Sequence, residues 1–389
     1  MPVVLHILSI LSPPAVAHNE EALQAPSNPP PAIATPKGEA SMAKKKLGIG
    51  IIGSGGIAQG AHMPGYAALA DCEILAVADV SEGARNSAAE KFNVPRKFKN
   101  WKDLLKIEEI DAVSVCAPNT YHFQPTIDAL NAGKHVLVEK PMAISAAEAK
   151  KMLQTARKLG LKLMVGQTAR FSPQSRAMKD FIASGAIGDI YYARAMALRR
   201  RGIPGWGAFT SKKLSVGGPI FDIGVHILDL TLWLMGFPEP KVVSGSVYNP
   251  IGTAPLPQVG GMGGWDPKTY GVEDFGVGLI KFKNGATVVL EASWALNLAE
   301  DMHGTILCGT KGGVQSSPLR LIREECGALT VADPQILSGP SGHAEEVRAF
   351  VECIRKNLPE PVPAEQALIT QRIPDGVYES SKTRKEVKV

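Results

Sequence analysis

The tripeptide Glu139-Lys140-Pro141 closes an apolar run at residues 135–138, and its lysine is a candidate for chemistry. An ammonium group at the carboxyl end of a strand can stabilise an oxygen that is gaining negative charge. Pro141 fixes its own φ, so the turn could aim Lys140 into a crevice; the same three residues would also suit an ordinary exposed turn. A second group lies in the stretch Gly217-Gly218-Pro219-Ile220-Phe221-Asp222-Ile223-Gly224-Val225-His226. If a helix starts near Asp222, then Asp222, His226, Asp229 and Trp233 share one stripe. A polar stripe on so apolar a helix should face a cavity. There a histidine can take a proton near neutral pH, and a carboxylate one turn away can orient it. A satisfied core histidine and a metal pair are the other readings of this spacing. No third ligand is spaced to complete a metal site, so none is expected.

A third group could hold the second reactant. Gly53-Ser54-Gly55-Gly56-Ile57-Ala58 follows an Ile-rich run at 47–52 and precedes a helical stretch. Gly53 permits the tight turn, Gly55 lets the backbone approach a diphosphate, and Ala58 replaces a third glycine while still allowing close helix packing. The helix N-terminus adds amide donors and a favourable dipole. Asp79 ends the next strand at the spacing where an acid accepts from a ribose hydroxyl, which favours NAD over NADP because a carboxylate repels a 2′-phosphate. Arg85 is the counter-indication, but it lies well into the following helix. The alternative is a purely structural turn with Asp79 as a helix cap.

These groups need elements to hold them. Strand-like runs at 47–52, 73–79, 111–117, 135–138 and 162–166 alternate with helical stretches at 82–92, 120–132 and 146–159. Ser81 and Ser145 are placed as N-caps, and Gly133 and Gly160 as stops. The alternation predicts an α/β fold that begins with a doubly wound parallel sheet, a Rossmann domain spanning 44–166. From 167 to 389 the texture changes. Ser172-Pro173 starts a helix to about 183. Strand-like runs follow at 190–198, 241–248, 276–282, 287–294 and 303–308, with Asn284-Gly285 as a hairpin signal. This predicts an α+β substrate and oligomerisation domain on a large, mainly antiparallel open sheet. Residues 250–271 read as a long Gly/Pro-rich loop, a lid or an interface arm. Helices are expected at 341–357 and 364–380, the last packing back on the first domain, with a break or kink at Pro374.

Bulk properties narrow the function classes. The 389 residues suit two domains, and 45% hydrophobic with 20% charged residues is ordinary for a globular chain. A net charge of +5 does not suggest a nucleic-acid partner. No apolar stretch reads as the ~20 residues a bilayer span requires. Five scattered cysteines argue against a disulfide framework or a Cys-based metal site, and the expected compartment is the cytoplasm. Residues 1–43 read as a disordered extension before Met42, or as a signal segment for export without the usual positive start.

Together the motifs resemble the Gfo/Idh/MocA family, the glucose-fructose oxidoreductase and inositol dehydrogenase group. The resemblance covers residue 46 to about 380 and rests on three motifs in the family's order: the Gly-rich turn, then Ala117-Pro118-Asn119 with His122 leading to Glu139-Lys140-Pro141, then Gly217 to His226. It implies NAD-dependent hydride transfer between nicotinamide and a secondary alcohol of a sugar, sugar derivative or cyclitol. Lys140 matches the catalytic lysine, His226 the acid/base and Asp222 its acidic partner in the pocket. Ala117, Pro118, Asn119, His122 and Glu139 match residues around the nicotinamide end. Arg170 matches an arginine facing the sugar, and Arg201, Pro204 and Trp206 come from a loop resembling a substrate-contacting loop. The family's sheet implies a homodimer or homotetramer. Two other classes would use the same residues: a glycosidase acting by transient oxidation, and a cofactor-binding regulator without turnover.

Overall fold

Strand β1 (Leu47–Ile52) is buried at every residue, as a central parallel strand covered on both faces must be. It pairs in parallel with β2 (Cys72–Ala78) on one side and β4 (Ala112–Val115) on the other. With β3 (Arg96–Phe98), β5 (His135–Glu139) and β6 (Leu163–Gly166) the sheet runs β3-β2-β1-β4-β5-β6, all parallel. The order in which strands are added reverses between β1 and β4, although all run in the same direction. That leaves a crevice at their carboxyl ends, where doubly wound sheets bind ligands. Local signals act as the sequence suggests: Ser81, Ser145 and Ser172 cap their helices by accepting from Ala84, Glu148 and Ser175 N–H. The computed structural model describes residues 45–389 except 208, 256–261 and 337. The extension or signal expected over 1–43 lies outside the described residues.

The second sheet has nine strands: β7 (Ile190–Leu198), β8 (Pro240–Tyr248), β9 (Phe275–Phe282), β10 (Thr287–Ser293), β11 (Met302–Gly309), β12 (Gly312–Ser316), β13 (Leu319–Glu325), β14 (Ala328–Ala332) and β15 (Val387–Lys388). Their order is β14-β13-β12-β11-β7-β10-β9-β8-β15. Every pairing is antiparallel except β7 with β10. Gly285, at φ +90°, turns the hairpin between β9 and β10. Period-two burial packs Ala193, Ala195, Val288, Leu290 and Ile280 against the helices, while Arg194, Val289, Leu279 and Ile306 stand in register on the open face.

The two cores interlock through the C-terminal helices. In the helix Gly342–Arg355, Val347, Phe350, Val351 and Cys353 join the core around the first sheet. The helix Ala364–Thr383 divides its contribution: Ala364 and Ala367 enter the first core, Ile373 and Val377 the second. It is a span between the two layers and not only a return to the first domain. Of the break or kink expected at Pro374, the break does not occur: the helix runs through the proline. An interior proline costs about 3 kcal/mol. Here its neighbours Ile373 and Val377 are fully buried, and burial of that apolar surface offsets the cost. One segment, Lys212–Leu234, is long and apolar enough by composition to cross a membrane, contrary to the sequence expectation, but 72% of its 18-residue apolar window is buried within the fold. It is core, and it carries the site.

Candidate active site

The turn after β1 is built for close approach. Gly53 sits at φ +84°, and a Cβ there would lie 2.6 Å from Ala117 N, so the turn excludes any other residue. A Cβ on Gly55 or Gly56 would meet nothing within 4 Å; their backbone borders open space at the start of a helix. That helix opens with a π-helical turn, Ala58–His62, in which Ala58 is buried where the third glycine is expected. Asp79 holds the turn from the next strand: one carboxylate oxygen accepts from Ser54 N at 2.7 Å and Ser54 Oγ at 3.3 Å, the other from Ser81 N at 2.8 Å. Asp79 also borders a cavity of about 210 Å³, whose walls include Ile52, Trp101, Pro118 and Tyr121. Flat apolar walls, one carboxylate and a turn free of side chains fit the adenosine and diphosphate of a dinucleotide. Asp79 therefore combines the structural reading of its motif with a place on the binding crevice.

Across the crevice, Lys140 meets the second layer. The Lys140–Pro141 peptide is cis. Lys140 Nζ donates to Asp222 O at 2.9 Å and lies 3.2 Å from Asp222 Oδ1. Asp222 Oδ2 accepts from Trp294 Nε1 at 3.0 Å. Asp222 lies in a π-helical turn, Ile220–Gly224, which runs into the helix Val225–Leu234 carrying His226. Such turns re-aim side chains and are frequent at functional sites. Burial disfavours the Asp222 carboxylate, but the charge of Lys140 and the bonds from Lys140 and Trp294 outweigh it and hold its pKa below the ordinary value. His226 is driven the other way, first by burial and then by the charge of Lys140, so its pKa is lowered and its ring stays neutral. Among the described residues His226 has no hydrogen-bond partner, which leaves its ring nitrogens available. A cation, a carboxylate and a neutral imidazole converge here.

Four expected site residues are placed differently. The stripe from Asp222 to Trp233 divides: Asp229, fully buried, accepts from Arg170 Nε and Nη2 at 2.7 Å each. Arg170 gives Nη1 to Gln366 at 2.6 Å and lies over the Phe237 ring, so its guanidinium is engaged within the fold. Glu139 turns inward to His62 Nε2 at 2.8 Å and to its own neighbour Lys140 N at 3.1 Å, away from the crevice. His122 is buried between Pro141 O at 2.7 Å and Ala117 O at 2.8 Å, and ties the end of β4 to the turn after β5. The common cause is that a buried polar group must be paired, and each pairs with the backbone or with a residue distant in sequence. Asn119, after β4, reaches the second layer, where its Nδ2 donates to Ser215 O at 3.1 Å. Arg201 is exposed but engaged by Arg200 O, Leu296 O and Asn297 Oδ1. Trp206 is half exposed. Pro204 bridges to Met262, in the 250–271 loop.

Three groups escaped the sequence reading. Trp294 reads only as the end of a strand-like run. Glu273 accepts from Gly218 N at 2.9 Å, Ile220 N at 3.2 Å and Tyr378 OH at 2.6 Å, and so anchors the turn leading to Asp222. His62 braces Glu139 from behind, with Nδ1 3.2 Å from Ser114 Oγ. None has a local motif; a Glu-Asp pair before a strand at 273–274 was the only available hint.

The fold and this site define the class: a dinucleotide-dependent oxidoreductase with a Rossmann sheet and an open nine-stranded sheet. The model of the oxidoreductase family with an NAD-binding Rossmann fold, Gfo/Idh/MocA, matches residues 47–167, and that of the Gfo/Idh/MocA C-terminal domain matches 175–315. The chain is 35% identical over 352 residues to D-glucoside 3-dehydrogenase of Escherichia coli, covering 90% of this chain and all of that one. It is 25% identical to myo-inositol 2-dehydrogenase of Thermotoga maritima, over 88% of this chain and 98% of the relative. Among solved structures, an oxidoreductase domain protein from Kribbella flavida aligns with a TM-score of 0.78 and 25% identity, over 89% of this chain and 100% of that one. Levoglucosan dehydrogenase in complex with NADH shares the fold at a TM-score of 0.78 and 22% identity, over 89% and 99%. The chain belongs to the Gfo/Idh/MocA family and is an NAD-dependent oxidoreductase.

Proposed function

We propose that this protein oxidises a secondary alcohol of a sugar, sugar derivative or cyclitol, in a site formed by Lys140, Asp222 and His226. The observation that carries this reading is the contact of Lys140 Nζ with Asp222 beside an unpaired neutral His226, at the mouth of the dinucleotide crevice. NAD, when bound, supplies the hydride acceptor. His226 takes the hydroxyl proton while the carbon loses hydride and the C–O bond becomes a carbonyl. Lys140 stabilises the negative charge that develops on the oxygen, and Asp222 keeps the ammonium aimed at it. Gly53, Ser54, Gly55, Gly56, Ile57 and Ala58 receive the diphosphate, Asp79 the ribose, and Ala117, Pro118 and Asn119 border the nicotinamide end. Trp206 offers a flat face to a pyranose ring, with Arg201 on the same loop. The dehydrogenase names of the glucoside and inositol relatives support this substrate class.

The open face of the nine-stranded sheet supports a homodimer or homotetramer. Leu279, Val289, Arg194 and Ile306 form one continuous row there. Five free thiols fit a reducing compartment, in keeping with a cytoplasmic protein.

The test is a screen of purified protein with NAD against sugars, cyclitols and glycosides, read at the absorbance of reduced nicotinamide. Lys140→Met should bind NADH as the wild type does and lose turnover by about 10³-fold or more. Turnover at the wild-type rate in that variant would refute the role of Lys140. Cleavage of a glycoside with no net reduction would replace the reading with a redox-neutral hydrolase.

A further inference from the structure

We propose that Trp294 is a positioning residue for Asp222, and that the aromatic row Trp206–Phe209–Trp294 makes the seating of the Trp206 loop a determinant of that carboxylate's orientation. This rests on the assignment of Asp222 to the sugar-oxidising site.

The two oxygens of Asp222 have separate partners. Oδ1 faces Lys140 at 3.2 Å, and Oδ2 takes the Trp294 indole N–H at 3.0 Å. The carboxylate can turn about its last bond unless both oxygens are held. Trp294 therefore decides which edge meets the lysine. The indole is fully buried, and the Trp294 backbone N–H donates to Asp274 O at 2.9 Å. Asp274 in turn accepts from Ile251 N and Gly252 N at 2.7 Å each, at the root of the 250–271 loop.

From Trp294 the row runs outward. Phe209 meets it edge-to-face, with centroids 6.2 Å apart at 83°. Trp206 meets Phe209 in the same way, at 6.2 Å and 77°. Trp206 is half exposed at the rim. Edge-to-face contacts are directional, so a shift of the outer ring re-aims the inner ones in a way that a greasy contact would not. The same loop leads into the short helix Lys212–Ser215, and the Ser215 carbonyl accepts from Asn119 Nδ2. Loop placement thus reaches both halves of the site. A sugar ring that seats Trp206 would settle Asp222, and one that fails to touch it would leave Asp222 less well aimed. The row makes contact at the rim a condition for turnover as well as for binding.

The test pairs kinetics with a measurement independent of turnover. Trp294→Phe keeps the ring and removes the N–H. It should leave the NADH Kd within about twofold and lower kcat about tenfold, the loss of one hydrogen bond to a charged group. It should also move the acid limb of the kcat/KM profile upward, because the ionised carboxylate loses a donor. Trp206→Ala should raise KM and lower kcat in the wild type, but raise KM alone when Trp294 is already Phe. In parallel, the Trp294 indole 15N–1H resonance should shift in Asp222→Asn and in Phe209→Leu. An unchanged kcat and pH profile in Trp294→Phe would overturn the positioning role. Equal kcat losses from Trp206→Ala in both backgrounds, or an indole resonance indifferent to Phe209→Leu, would overturn the coupling. If the wild type turns over no sugar or cyclitol, the functional reading fails, and the resonance arm still decides the coupling.

Discussion

Lys140 and Glu139 are neighbours that face opposite ways, and their environments explain why both matter. Lys140 points into the crevice. Glu139 points into the fold, where burial alone would raise its pKa but the hydrogen bond and charge of His62, with Lys140, bring it down to about 2. A carboxyl whose folded pKa lies below its unfolded value stabilises above the unfolded value, and that stability is lost as pH falls toward the folded one. Glu139→Gln should therefore lower Tm at pH 7, and the gap to the wild type should close as pH falls from about 4.5 toward about 2. A gap independent of pH over that window would show that Glu139 acts by packing alone. Arg170 yields a complementary prediction. Its bidentate pair with Asp229 is almost wholly buried, and leaving Asp229 unpaired costs about 3–5 kcal/mol. Arg170→Leu should lower thermal stability by that order while leaving KM for sugar near the wild-type value in the folded fraction. A raised KM with unchanged Tm would restore Arg170 to the substrate site.

At the level of the element, the glycine turn separates two duties that its sequence motif merges. Gly53 serves the fold: its positive φ and the 2.6 Å approach to Ala117 leave no room for a side chain. Gly55 is not held by the fold, since nothing in the protein lies within 4 Å of where its Cβ would be, and on the proposed function its backbone borders the diphosphate. Gly53→Ala should destabilise by about 1–3 kcal/mol and weaken NADH binding with it. Gly55→Ala should leave Tm unchanged and weaken NADH binding about tenfold or more, because the methyl would occupy the diphosphate path. Thermal melts and fluorescence titration with NADH separate the two cases. The helix from Val225 to Leu234 makes a similar division: Asp222 and His226 face the crevice from its π-turn and first turn, and Asp229, further along, serves the buried pair with Arg170.

Across the whole molecule, the site exists because two cores are held together. The helix Gly342–Arg355 and the first part of Ala364–Thr383 complete the core of the dinucleotide layer, although they come last in the chain. The open sheet carries Leu279, Val289 and Ile306 in one row with Arg194, whose guanidinium pairs with Glu291 at 2.7 Å. A further, unpaired charge in that row should oppose self-association, since burying an unpaired ammonium is costly. Leu279→Lys should convert the proposed oligomer to monomer in light scattering, with little change in the far-UV spectrum. A wild type that is already monomeric would remove the oligomer proposal.

The sequence by itself determined five strands of the first sheet and its crevice, while β3 (Arg96–Phe98) was not legible. Those five are apolar runs, two of the helices between them begin at serine caps, and the turn glycine has no substitute; each signal is local. Lys140, Asp222, His226 and Asp79 were legible for the same reason, because short motifs at fixed spacing carry them. Strands β12, β13, β14 and β15 were not legible: β13 mixes arginine and glutamate with leucine, and β15 is two residues long. The break expected at Pro374 followed correctly from backbone sterics, and was overridden by packing that no local window contains. The partners were decided by tertiary structure alone. Arg170 and Asp229 are 59 residues apart, Glu139 and His62 are 77, and Asp222 and Trp294 are 72. Whether a buried charge faces substrate or another buried charge depends on which side chains the fold brings within hydrogen-bond reach. That is a property of the packed layers, since desolvation requires a partner but does not say which one.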